Sequence, residues 1–191
     1  MNISDEPATL AGMRDTGFPY AADNTAQILI LGSMPSRKSL AATQYYAHPQ
    51  NAFWPIMAAL FDFDVGLAYE KRLSKLCANH VALWDVAHQC IRPGSLDSAI
   101  DMTSVVANDF IFFFNTHPHI RAIFFNGRKA EALYRSLVWP TLPSAQQHIL
   151  QKLMPSTSPA NAGMNRAQKL AAWRMIPVQC MRQQNDLAST E

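Results

Sequence analysis

The sequence predicts an α/β protein of three layers, with helices on both faces of a central four-stranded parallel sheet. Four short apolar runs alternate with segments of helical pattern, as in parallel strands joined by right-handed crossovers. Polar or turn residues follow these runs, at the sheet edge where such folds bind ligands. The 191 residues and the lack of an internal repeat favour one domain over residues 1–191, with frayed tails at 1–17 and 183–191.

The predicted strands are residues 28–31, 80–84, 120–125 and 148–153. The first run is short, apolar and partly β-branched, which favours a strand buried on both faces, and the fourth run is the weakest. Helices are predicted at 51–61, 67–77, around 105–115, at 128–138 and at 165–175. The second helix, for example, has Leu67, Leu73 and Leu76 as its apolar residues. Residues 1–26 are a polar, turn-rich lead-in to which we assign no chemistry.

Composition excludes several classes of protein. A net charge of +2 is too small for a protein that coats polyanions, but it permits a local basic face. The cysteines, Cys77, Cys90 and Cys180, lack CxxC spacing and indicate free thiols in a reducing compartment. No apolar segment approaches the roughly 20 residues that span a bilayer, and the first residues lack the pattern of a secretory signal. We expect a cytoplasmic monomer that does not enter the membrane.

Polar and aromatic residues converge at the predicted carboxyl edge of the sheet. This edge receives Gly32-Ser33-Met34-Pro35-Ser36, Asp85, Asn126-Gly127, the turn at 154–159 and the loop at 44–51. Aromatic rings, amides and one carboxylate suit the reading of a flat base, and Ser/Pro turns suit phosphate contacts. The phosphate-binding motifs GxxxxGK[ST] and GxGxxG, metal spacings such as HExxH, and the nucleophile motif GxSxG are absent. We therefore expect no metal, no cofactor and no covalent nucleophile.

Five motifs carry a resemblance to a known family. They read LGSMPS, SLAATQYYAHPQNAFWPIM, LWDV, FFNGRKAE and MPSTSPANA, and they lie between about Phe18 and Trp173. In this order they resemble the uracil-DNA glycosylase superfamily, in its hypoxanthine (deoxyinosine) branch. The resemblance implies the three-layer fold, damaged DNA as partner, and a base flipped into the crevice. It also implies that the N-glycosidic bond is hydrolysed without metal or cofactor, which leaves an abasic site.

The resemblance implies roles for individual residues. Asn51 is expected to be the main catalytic residue, which positions water or donates to the leaving purine, and Asn126 is expected to assist. Tyr46 is expected to stack on the base, and Asp85 to accept from an imino N–H, which adenine lacks at N1. The remaining base-binding residues are Ser33, Met34 and His48. The expected DNA contacts are Ser36, Arg128, Lys129, Ser156, Thr157 and Ser158.

Two departures from the family pattern leave alternatives open. Met34 stands where related uracil enzymes carry a water-positioning asparagine, and Met154 stands where they carry a histidine. A uracil-preferring glycosylase and a non-catalytic nucleic-acid-binding module of the same fold are therefore the alternatives. Asn51 also occupies an N-cap position, and Asp85 could cap a turn. The superfamily resemblance further implies that the loop at 155–163 enters the minor groove, with Ser158 or Met164 as its wedge candidates.

Overall fold

The structure is a computed structural model and describes residues 14–176. Its central sheet contains the parallel strands β2 (Ile28–Gly32), β3 (Val81–Asp85), β6 (Ala122–Asn126) and β7 (Leu150–Met154). These strands lie in the order β3-β2-β6-β7. The predicted four-stranded parallel sheet is therefore confirmed, with strand boundaries shifted by one or two residues.

Helices cover the sheet on both sides. Their bounds are α1 Arg37–Ala42, α2 Phe53–Phe61, α3 Tyr69–Ala78, α4 Phe110–Thr116, α5 Arg128–Leu133, α6 Ser144–Gln147 and α7 Arg166–Trp173. Leu29 and Leu31 pack with α4 and α5, whereas Ile28 and Ile30 pack with α2, α3 and α7. Successive residues of a strand point to opposite faces, so a continuous apolar run serves both layers. The predicted three-layer architecture is confirmed.

Two predicted helices differ from the observed elements. The helix expected around 105–115 begins only at Phe110, because the side chain of Asp109 accepts from the backbone N–H of Phe112 and caps it there. The helix expected at 128–138 ends at Leu133 and continues as a π-helical turn, Tyr134–Val138. The short helix α1 was not predicted. Its N-cap is Ser36, whose Oγ accepts from the N–H of Ser39.

A second, antiparallel sheet contains β1 (Arg14–Thr16), β4 (Ala87–Ile91) and β5 (Val106–Ala107), in the order β1-β4-β5. The prediction that residues 1–17 form a frayed tail is wrong for Arg14–Thr16. Such a short strand depends on pairing with β4, which lies far along the chain. The other predicted tail residues and Cys180 lie outside the described range, apart from Gly17. No helix within residues 14–176 is long and apolar enough to cross a membrane.

Candidate active site

The carboxyl ends of the four parallel strands form one edge of a cavity. Gly32 is in register with Asp85 on one side of β2, and Asn126 is in register with Met154 across β6 and β7. The cavity has a volume of about 310 Å³. The predicted residues that line it are Ser33, Met34, Ser36, Tyr46, Asn51, Asp85, Asn126, Ser156, Thr157 and Ser158. The structure thus brings most of the predicted site together.

The carboxyl group of Asp85 lies at the bottom of this arrangement. Asp85 is 4 % exposed, and within the described chain its Oδ2 has no hydrogen-bond partner. Burial and, to a smaller extent, the nearby Asp97 raise the pKa of Asp85, Arg92 opposes them, and together they bring it to about 8. This shift favours the protonated form of Asp85, which presents both an O–H donor and a C=O acceptor. Neither oxygen caps a turn in the described residues.

Gly32 makes room for Asp85. A Cβ atom at position 32 would collide with Oδ1 of Asp85 and would also come within 3.4 Å of the Tyr46 hydroxyl. Only glycine lets the backbone of β2 approach the carboxyl group so closely.

Asn51 lies immediately before α2 and lines the cavity, but the N-cap of α2 is Ala52, so the N-cap role predicted for Asn51 is wrong by one residue. Its Oδ1 accepts a hydrogen bond from the backbone N–H of Phe53 at 2.9 Å, at the start of α2. Because a backbone N–H can only donate, this contact identifies the amide oxygen and makes Nδ2 the opposite end of the side chain. Within residues 14–176 the Nδ2 donor is not used by another group, and Asn51 lines the cavity. The site therefore has a free amide donor.

Tyr46 forms an aromatic wall of the cavity. Its backbone has a left-handed φ of 57°, and its ring stacks on Phe53 with centroids 3.9 Å apart. Burial and the Asp85 carboxyl raise the pKa of Tyr46, and the amide of Asn126 opposes that shift. The phenol nevertheless makes no hydrogen bond of good geometry with the described residues. Phe53 covers one face of the ring and holds it in place.

Asn126 and Thr157 bind each other. Oδ1 of Asn126 accepts from the backbone N–H of Thr157 at 2.8 Å, and Nδ2 donates to its Oγ1 at 2.9 Å. The carbonyl of Thr157 accepts in turn from the N–H of Ala52. Thr157 is 0 % exposed, so its predicted contact with DNA phosphate is wrong. It connects three loops of the site instead.

Three predicted residues lie outside the cavity. His48 Nδ1 accepts from the N–H of Gln50 at 3.1 Å within a turn, so the structure does not bring His48 to the base-binding wall. Arg128 is exposed in the first turn of α5. Lys129 extends its Nζ to the sulfur of Met102 at 3.3 Å. Of the three, Arg128 keeps a position suited to phosphate.

One wall of the cavity is formed by a loop that the sequence analysis did not predict, which contains Ser95, Leu96 and Asp97. Asp97 Oδ1 accepts from the hydroxyl of Ser33 at 2.7 Å, and the large side chain of Leu96 is 58 % exposed. The local signal around them, Arg92-Pro93-Gly94-Ser95, indicates only a turn. Other lining residues that were not predicted are Ser39, Ala160 and Asn161, and Tyr45 lines the cavity as well as the core.

The charge in this region comes from carboxyl and guanidinium groups. Among residues 14–176, no group of three or more His, Cys, Asp or Glu side chains is arranged to hold a metal ion. The cavity itself is lined by side-chain amides, hydroxyls, the rings of Tyr45 and Tyr46, and two carboxyl groups.

The cavity at the carboxyl edge of the parallel sheet combines an aromatic wall, side-chain amides and a carboxyl group with serine-rich loops, and this combination is typical of proteins that hold a single nucleobase. Residues 18–176 match the model of the uracil DNA glycosylase superfamily, and the chain belongs to this superfamily. The family resemblance expected from the sequence motifs is confirmed.

Curated relatives and a solved structure agree with this assignment. The chain is 40% identical over 149 residues to the hypoxanthine DNA glycosylase of Methanosarcina acetivorans, which covers 76% of this chain and 87% of the relative. It is 33% identical over 153 residues to the protein of the same name from Methanosarcina barkeri, covering 78% and 89%. A solution structure from Methanosarcina acetivorans, described as a proposed uracil DNA glycosylase, superposes with a TM-score of 0.69 at 36% identity. It covers 86% of this chain and 99% of that chain.

Proposed function

We propose that deoxyinosine in DNA is the principal substrate of this DNA glycosylase, which releases hypoxanthine and leaves an abasic site. The buried carboxyl group of Asp85, whose Oδ2 has no partner in the described residues, suits a base with adjacent N–H and C=O groups, and the choice of hypoxanthine among such bases rests on the similarity to the two curated relatives. Hypoxanthine presents an N1–H donor beside the O6 acceptor, and a protonated carboxyl group complements both. The names of the two curated relatives support the same substrate.

Asp85 alone does not determine the choice of base. Uracil has the same donor and acceptor pair at N3 and O4, and a protonated carboxyl group can also bind the adenine edge by reversing its donor and acceptor. An ionised Asp85 would reject adenine, but a protonated Asp85 does not. Discrimination against adenine therefore needs another cause. A damaged or mismatched base costs less to unpair and unstack than a normal one, so deaminated bases reach the cavity more readily.

The cavity groups suit the charges that develop during bond cleavage. Positive charge builds on the deoxyribose and negative charge on the departing purine, so a fixed donor at the purine lowers the barrier. We assign that donor to Nδ2 of Asn51, because Oδ1 is held by the N–H of Phe53. Tyr46 supports the base face with Phe53 behind it. Asn126 assists by holding the loop through Thr157.

DNA contacts are assigned to residues around the cavity mouth. Ser36, Ser156 and Ser158 are half-buried lining residues with small side chains that let the backbone approach phosphates. Arg128 adds an exposed cation in the first turn of α5. When the damaged base leaves the stack, we propose that the exposed side chain of Leu96 fills the gap. The loop at 155–163 is less suited to this role, because the residues it places on the cavity wall are small.

The proposal is tested by incubating the protein with duplexes that contain a single deoxyinosine, deoxyuridine or normal deoxyadenosine. Alkaline cleavage of abasic sites then measures base release. Faster release from deoxyinosine than from deoxyuridine supports the proposal, and the opposite order identifies a uracil-preferring enzyme. Binding to all duplexes without release identifies a non-catalytic module and rejects the proposal.

We also propose that the protein acts as a monomer, which sedimentation at the mass of 21.3 kDa would test.

A further inference from the structure

We propose that Asp97 is a second catalytic residue, the carboxylate that orients the attacking water and accepts its proton. This inference rests on the proposed function and adds the water-activating group that it lacks. The first cavity loop, residues 32–36 at the end of β2, carries Met34, whose thioether is only a weak hydrogen-bond acceptor. Asn51 cannot serve as a strong base either, because its side chain is a neutral amide.

The position of Asp97 supports this role. Its Oδ1 accepts from Ser33 Oγ at 2.7 Å, and Ser33 directly precedes Met34 in the first cavity loop. Asp97 comes from a distant part of the chain. Its carboxylate provides, next to this loop, the polar group that the side chain of Met34 lacks. The hydrogen bond occupies one carboxylate oxygen and leaves the other, Oδ2, to accept from water inside the cavity that Asp97 lines.

The loop that carries Asp97 is fixed to its surroundings. Arg92 pairs with Asp15 at 2.8 Å and donates to the carbonyl of Pro35 at 2.6 Å, with its side chain buried. Arg37 donates from Nε to the carbonyl of Gly94 at 2.9 Å and from Nη2 to the carbonyl of Arg92 at 3.2 Å. Such anchoring holds a catalytic group in place before the substrate binds.

Different surroundings give the two carboxyl groups different tasks. Asp85 is buried and has no partner among the described residues, so it keeps the proton. Burial of its carboxyl group raises the pKa of Asp97 as well, although the residue as a whole is more than a third exposed. Ser33, Arg92 and Lys129 act in the opposite direction. Pairs of acids whose environments differ in this way take different roles, one as a neutral acid and the other as a base. We assign the negative charge to Asp97, because its carboxylate accepts from Ser33 and because Arg92 and Lys129 attract it.

The reaction balances with these groups. The water oxygen forms a bond to C1′ of the deoxyribose, and the bond from C1′ to N9 of hypoxanthine breaks with its electron pair moving to the purine. The second proton of the water passes to Asp97 Oδ2, and solvent protonates the released purine. The negative charge of Asp97 also stabilises the positive sugar before the water attacks.

The decisive variant is Asp97→Asn, because asparagine retains an oxygen that can accept from Ser33 but lacks the charge. Under single-turnover conditions on a deoxyinosine duplex, we expect base release to fall about a hundredfold or more, the range of general base catalysis. Affinity for an uncleavable 2′-fluoro-deoxyinosine duplex should stay equal or increase, since a negative charge near phosphates has been removed. Asp64→Asn, which removes a carboxylate outside the cavity, serves as the matched control and should excise at the wild-type rate.

The pH profile separates catalysis from positioning. Ser33, Arg92 and Lys129 lower the pKa of Asp97, and Asp97 in turn raises the pKa of Asp85, Tyr46 and Cys90. Wild-type base release should rise with pH as Asp97 ionises, and Asp97→Asn should lose this rising limb. Near-normal release by Asp97→Asn would overturn the inference, because a role limited to holding Ser33 survives in asparagine. If the wild-type protein released no base from any duplex, the proposed function itself would fail instead.

Discussion

The substitution Asn51→Asp distinguishes the structural role of Oδ1 from the catalytic role proposed for Nδ2. The wild-type Oδ1 accepts from the N–H of Phe53 at 2.9 Å and starts α2, whereas Nδ2 is the donor assigned to the departing purine. Aspartate keeps the oxygen and replaces the donor with a second acceptor. The substitution therefore removes the assigned catalytic contact and leaves the structural contact in place.

The expected magnitudes follow from these contacts. Loss of one donor to a developing anion costs about a hundredfold to a thousandfold in rate, and the added negative charge further opposes the purine anion. The free energy of unfolding should change by less than about 1 kcal/mol, because a carboxylate at the start of a helix is stabilising. Asn51→Ala should lose base release and also about 1 kcal/mol of stability, since it removes the hydrogen bond that Oδ1 accepts from the N–H of Phe53.

The assay measures single-turnover base release from a deoxyinosine duplex, together with denaturant unfolding of the same preparations. The combination of slow release and wild-type stability in Asn51→Asp is the expected result. Release by Asn51→Asp within about threefold of wild type would reject the donor role. An increase in rate would show that Asn51 works through its oxygen on water.

Three further substitutions test the cavity. Folding raises the pKa of Asp85 from 3.8 to about 8, so the folded chain binds more protons between these values and its free energy of unfolding falls as pH rises through this window. Asp85→Asn should remove that slope, and parallel curves for both proteins at pH 5, 7 and 9 would refute the reasoning. Gly32→Ala should abolish base release because its Cβ displaces Asp85. The double variant Gly32→Ala/Asp85→Ala should recover the melting temperature but not the activity, and normal release by Gly32→Ala would exclude the close approach. Tyr46→Phe removes a buried hydroxyl without a good partner in the described chain. It should melt at or above the wild-type temperature and keep base release, whereas a lower melting temperature would reveal a hydrogen bond of that hydroxyl.

The errors in predicting the site have a common cause. Thr157 lies between two serines predicted to contact phosphate, yet it is buried and bound to Asn126 and Ala52. His48 lies two residues from Tyr46 in the sequence, yet its Nδ1 accepts from Gln50 within a turn. Neighbours in a loop point in different directions, and their directions depend on contacts that the local pattern does not contain.

The sequence by itself determined the four parallel strands, of which β2, β3 and β6 are buried, and the loops at their carboxyl ends. Both follow from local chemistry, because an apolar run buries itself and the turn residues after it end the strand. The tertiary structure alone decided the raised pKa of Asp85 and the position of Asp97 beside Ser33. Those properties depend on burial and on a hydrogen bond between residues 64 positions apart. Hydrophobic periodicity encodes which face of an element is buried, but the partners of a polar side chain are settled only when distant loops pack together.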